Sequence, residues 1–135
     1  MYFYRSLFCV LLLNLSVLAV QAQNQGPLTP EQKEKQLMEA VDKEVSKLSG
    51  MLKLEYWQEF FVDSTLTHDY RALTDELEAL QKAKVENSDL YQQVQDKWMD
   101  RIDKSYKRFF TPEQWQKYLK SGAGRAQKAR DKRKK

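Results

Sequence analysis

His68 is the only histidine in this 135-residue chain. It is also the one side chain whose ordinary pKa lies near neutrality. Metal binding or His-dependent catalysis needs partner side chains at set spacings. The chain offers no second His, one cysteine, Cys9, and no clustered acids in an apolar setting. It has no Gly-rich phosphate loop, nucleophile elbow or zinc spacing. The expectation is a protein that is not an enzyme, with no catalytic residue, no cofactor and no metal. On an unbroken helix His68 falls on the side of Trp57 and Phe61, which predicts a partly buried structural role.

Two other groups could act by binding. Tyr56, Trp57, Phe60 and Phe61 are dense for one or two helical turns. Apolar residues at this spacing usually face a core. The alternative is an exposed surface for an unfolded client, a partner or a second copy of the chain. Trp57, Phe60 and Phe61 are the candidate residues of that surface. The second group is basic: Arg125, Lys128, Arg130, Lys132, Arg133, Lys134 and Lys135. From Gln23 to Ala123 there are 15 Lys/Arg against 18 Asp/Glu, but from Gly124 onward there are 7 against Asp131 alone. The basic pI thus reflects the tail and not the body. One reading is a frayed, solvated helix extension. The other is weak contact with an anionic membrane surface or with acidic clients. The tail carries no aromatic to stack on bases, so no specific nucleic-acid binding is expected.

The elements that position these groups begin with an export signal. Arg5 precedes an apolar run from Leu7 to Val20, and Val20-Gln21-Ala22 supplies a small-residue exit. The run is too short for a secure membrane span. Cleavage is expected after Ala22, which places the product in the periplasm or outside the cell and removes Cys9. Residues 23–28 read as a linker, 29–123 as a helical domain and 124–135 as a basic C-terminal tail.

Helix starts are well marked. Leu28-Thr29-Pro30-Glu31-Gln32 combines a cap, a first-turn proline and a capping-box glutamine. Leu37, Met38, Val41, Val45, Leu48 and Leu52 then share one stripe, with Gly50 near the helix end. A second helix runs from Tyr56 to about Val85. Its aromatic group and its leucines (Leu66, Leu73, Leu77, Leu80) lie on opposite sides, so it either bends or breaks near Asp63-Ser64-Thr65, or buries two faces. The absence of Gly or Pro there favours a bend. Asn87 or Ser88 caps a third helix, with Tyr91, Val94, Trp98, Ile102, Tyr106 and Phe109 as its stripe. Phe110-Thr111-Pro112-Glu113-Gln114-Trp115 opens a fourth, with Phe110 and Trp115 placed as a hydrophobic staple. No alternating run reads as a strand. The fold class is all-α, about four helices in an antiparallel arrangement.

The near-copies Leu28-Thr29-Pro30-Glu31-Gln32 and Phe110-Thr111-Pro112-Glu113-Gln114 resemble the mark of the Spy/CpxP-like family of periplasmic proteins, a repeated Leu-Thr-x-x-Gln motif. The matching residues are Leu28, Thr29, Gln32, Thr111 and Gln114; Phe110 stands where the family has Leu. The resemblance implies a bent antiparallel helical hairpin, completed by homodimerisation into a shallow cradle. It implies ATP-independent chaperone activity towards unfolded envelope proteins and a role in stress response. The His and Met set through which some relatives sense metals is missing here. The family's cradle is often basic, whereas this body is acidic. A contrasting expectation is a structural or adaptor protein of the envelope that docks on anionic surfaces through its basic tail.

Overall fold

The computed structural model describes residues 26–135. The export segment 1–22, its cleavage site, Cys9 and the linker residues 23–25 lie outside the described residues. The chain divides into two units between Glu34 and Lys35, and the second, Lys35–Lys135, is compact.

Helix α1 spans Pro30–Leu52, α2 Tyr56–Lys82, α3 Ser88–Phe109 and α4 Pro112–Tyr118. A kinked segment, Leu119–Ala123, joins α4 to α5, Gly124–Arg133. No strand occurs among the described residues, and the protein is all-helical.

Local chemistry sets the ends of these helices. At α1, the Thr29 N–H donates to Gln32 Oε1 at 2.9 Å, and the Gln32 N–H donates to Thr29 Oγ1 at 3.2 Å. This reciprocal box satisfies two donors that the first turn leaves unpaired. The same box recurs at α4 between Thr111 and Gln114. At α3 the Asn87 carboxamide oxygen accepts from the Asp89 N–H at 2.9 Å. Helix α1 runs two residues past Gly50, and Lys53, at φ 51°, follows its last residue in a left-handed conformation. Lys84, at φ 54°, takes the same conformation just after α2.

Helix α2 is continuous, with no break at Asp63–Thr65. Its phase conflict resolves because one side is buried and the other is not. Gln58, Val62, Leu66 and Asp69 form the buried stripe, four, four and three residues apart. The second unit's core joins Val62 and Leu66 to Val41, Leu48 and Leu52 of α1, Ile102 and Tyr106 of α3, and Phe110. Each such aliphatic side chain contributes roughly 1.5–3 kcal/mol when fully removed from water. Helices α2 and α3 run antiparallel: Phe61 stacks on Phe109, Arg101 reaches Asp69, and Lys97 pairs with Glu76.

Candidate functional site

The aromatic group at the start of α2 is exposed. Tyr56 is 87% exposed, Trp57 47%, Phe60 62% and Phe61 48%. The core reading of these rings, drawn from their helical spacing, is therefore corrected, and the alternative of an exposed surface is the one observed. The rings brace one another. Trp57 meets Phe61 edge-on at 6.2 Å, Phe60 meets Phe61 edge-on at 5.8 Å, and Phe61 stacks on Phe109 at 5.8 Å. Phe109 contacts Tyr106 and Phe110, which stack at 5.0 Å inside the core. The exposed rings are thus the outer end of an aromatic row anchored in the core. A shallow groove of about 320 Å³ beside them is lined by Phe61, Ser105, Arg108 and Phe109. Arg108 is exposed and has no ion-pair partner among the described residues. The face therefore offers apolar area next to a cation.

A pair of glutamines, Gln58 buried and Gln114 half-buried, holds this face in place. Gln58 and Gln114 each occupy the third position of their helix, α2 and α4. Gln58 Oε1 accepts from the Glu55 N–H at 3.0 Å, and Gln114 Oε1 accepts from the Thr111 N–H at 2.9 Å. Gln58 Nε2 donates to Gln114 Oε1 at 2.7 Å, while Gln114 Nε2 lies 3.1 Å from Gln58 Oε1. Each amide also reaches across to the end of the other's preceding helix. Gln58 Nε2 donates to the Phe109 carbonyl at 2.8 Å, and Gln114 Nε2 to the Leu52 carbonyl at 3.3 Å. One crossed clamp thus satisfies backbone groups at four helix ends, which would otherwise carry unpaired donors and acceptors. Gln58 was missed in the sequence, although Leu54-Glu55-Tyr56-Trp57-Gln58 has the spacing of the two motif copies. The partner of Gln114 is this cryptic copy. For Gln32 the hydrogen bonds seen are those of its own exposed cap.

The basic tail differs from a solvated extension. It forms α5 antiparallel to α3, over Asp96, Asp100 and Asp103, which recur at i, i+4 and i+7 on one side of α3. Arg133 grips Asp96 with two bonds, Nε to Oδ2 at 2.7 Å and Nη2 to Oδ1 at 2.8 Å. Arg130, 6% exposed, donates from Nε to Asp100 at 2.7 Å and from Nη2 to Asp103. Lys134 pairs with Asp100. Asp103 also accepts from the Tyr118 hydroxyl at 2.6 Å and from Gln127 at 2.9 Å. The Arg133 hydrogen bond holds the Asp96 carboxyl below the usual carboxylate range. Burial pushes Asp100 up, but its bonds to Lys134 and Arg130 outweigh burial and leave it low. The cleft beside this ladder, about 910 Å³, is lined by side chains of both signs, among them Asp96, Lys97, Asp100 and Lys134.

His68 is also more exposed than expected: its side chain is 65% accessible, with Nδ1 2.7 Å from Asp69 Oδ1. Asp69 itself is buried and also faces Arg101 Nε at 3.4 Å. No group of three or more metal-ligating side chains occurs among the described residues. No described helix is long and apolar enough to cross a membrane. No family model, curated protein or solved structure matches the chain.

Proposed function

We propose that this chain is an exported, ATP-independent chaperone or envelope-stress protein of the Spy/CpxP-like type, which holds unfolded or partner proteins on the α2–α3 aromatic face. The observation that carries this reading is the exposure of Trp57, Phe60 and Phe61 on a rigid, core-anchored row of rings. Large exposed apolar groups on a soluble domain mark interaction surfaces. A cation beside them, Arg108, suits the mixed apolar and charged character of unfolded chains. A second copy of the chain is the other occupant this face can take, so a homodimer belongs to the same reading.

The test is aggregation of an unfolded model protein, without ATP, in the presence of the purified chain. Suppression is expected, and the triple variant Trp57→Gln/Phe60→Ser/Phe61→Ser should lose it several-fold while keeping its helical circular dichroism. Absence of suppression at several-fold excess sinks the reading, as does full activity in the triple variant.

A further inference from the structure

The seven cations that follow Gly124 are not equivalent. Arg130, Arg133 and Lys134 are occupied by the aspartates of α3. Asp131, the tail's one acid, faces Lys134 at 3.6 Å. Arg125, Lys128, Lys132 and Lys135 are all exposed, and none has an acidic partner among the described residues. Arg125, Lys128 and Lys132 stand at i, i+3 and i+7, so they share one face of α5. That face is opposite the one carrying Gln127, Arg130 and Lys134. Lys135 follows two residues past the helix end. The seven steps from Arg125 to Lys132, at 1.5 Å rise each, spread the three helical charges over about 10 Å.

We propose that this outer face of α5 is a docking stripe for an anionic lipid surface. The salt-bridge ladder on the inner face holds the helix, so its outward cations are presented together and need no ordering on contact. Their charge complements a plane of anionic headgroups, which attracts clustered Lys and Arg. The only apolar side chains on α5 are those of Ala126 and Ala129, so the helix cannot insert into acyl chains, and adsorption is purely electrostatic. The same lack of rings removes base stacking. The export reading of residues 1–22 favours a membrane over a nucleic acid. This surface is separate from the aromatic face, and either can fail without the other.

The probe is co-sedimentation of the full chain with phosphatidylcholine vesicles, with and without phosphatidylglycerol. Binding is expected only with phosphatidylglycerol and should weaken as salt rises. Replacing Arg125, Lys128, Lys132 and Lys135 by Gln should reduce it at least about tenfold, since each cation near such a surface contributes comparably. The pair Lys128→Gln/Lys132→Gln should weaken binding clearly more than the charge-matched pair Lys43→Gln/Lys82→Gln. Circular dichroism checks that each variant stays folded. The proposal is overturned by equal losses in the two pairs, by no binding of the unaltered chain to anionic vesicles at low salt, or by tighter binding to a duplex oligonucleotide than to the vesicles.

Discussion

Tyr106 lies at the centre of the aromatic row, 1% exposed, and its hydroxyl has no hydrogen-bond partner among the described residues. Burial, and next to it the Tyr118 phenol, push its pKa far above the ordinary value of 10. A buried hydroxyl without a partner costs about 1–3 kcal/mol of desolvation. Tyr106→Phe should therefore leave the thermal midpoint unchanged or raise it; a fall of several degrees would show that the hydroxyl has a stabilising partner. Trp57, Phe60 and Phe61 show what residue-level reading can and cannot deliver. Their types and clustering were legible. Their exposure was not, because helical spacing marks a shared face without saying whether anything covers it. The buried stripe of α2 includes two polar members, Gln58 and Asp69, so an apolar periodicity passes over it.

At the scale of the element, α5 is the instructive case. Its composition reads as a solvated run, since no large apolar side chain marks a buried face. Its inner face is recognised only by pairing with Asp96, Asp100 and Asp103 on another helix. Each of those side chains is visible in the sequence, but the match between two distant helices is not. The brace has a definite pH dependence. Asp96 and Asp100 have native pKa values depressed below the unfolded one, so their contribution is present above the unfolded pKa, near 4. It is lost as pH falls through the depressed native values. Backbone amides of residues 125–133 should thus keep their exchange protection at pH 5 and lose it in stronger acid, after correction for intrinsic exchange rates. Loss of protection already between pH 5 and 6 would rule out these carboxylates as the brace.

Across the whole molecule, capping boxes and apolar stripes placed the helix starts well. The Thr29, Asn87 and Thr111 caps all form, because capping depends on residues within one turn. What joins the helix ends is non-local. Gln58 and Gln114 are 56 residues apart in sequence and meet only in the folded chain. Gln58→Ala and Gln114→Ala should each cost about 1–3 kcal/mol in denaturant unfolding, by leaving buried groups unpaired. The double variant should cost less than the sum of the two, with a coupling of roughly 0.5–3 kcal/mol. Strict additivity would mean that the two amides act independently. Because the clamp seats the first turn of α2, its loss should also loosen the exposed rings that α2 carries.

Gly122, at φ 113°, sits at the kink between α4 and α5. A side chain there is strained whatever space surrounds it, since L-residues rarely adopt this conformation. The kink acts as an angular index between two helices. One residue more or fewer rotates everything after it by about 100°. Such a shift would take the braced cations out of register with the aspartates, although it is too small to exchange two faces on opposite sides of the helix. The same seven charges would remain, but the ladder that holds them to α3 would not. What this short stretch encodes is therefore less the amount of charge than its bearing.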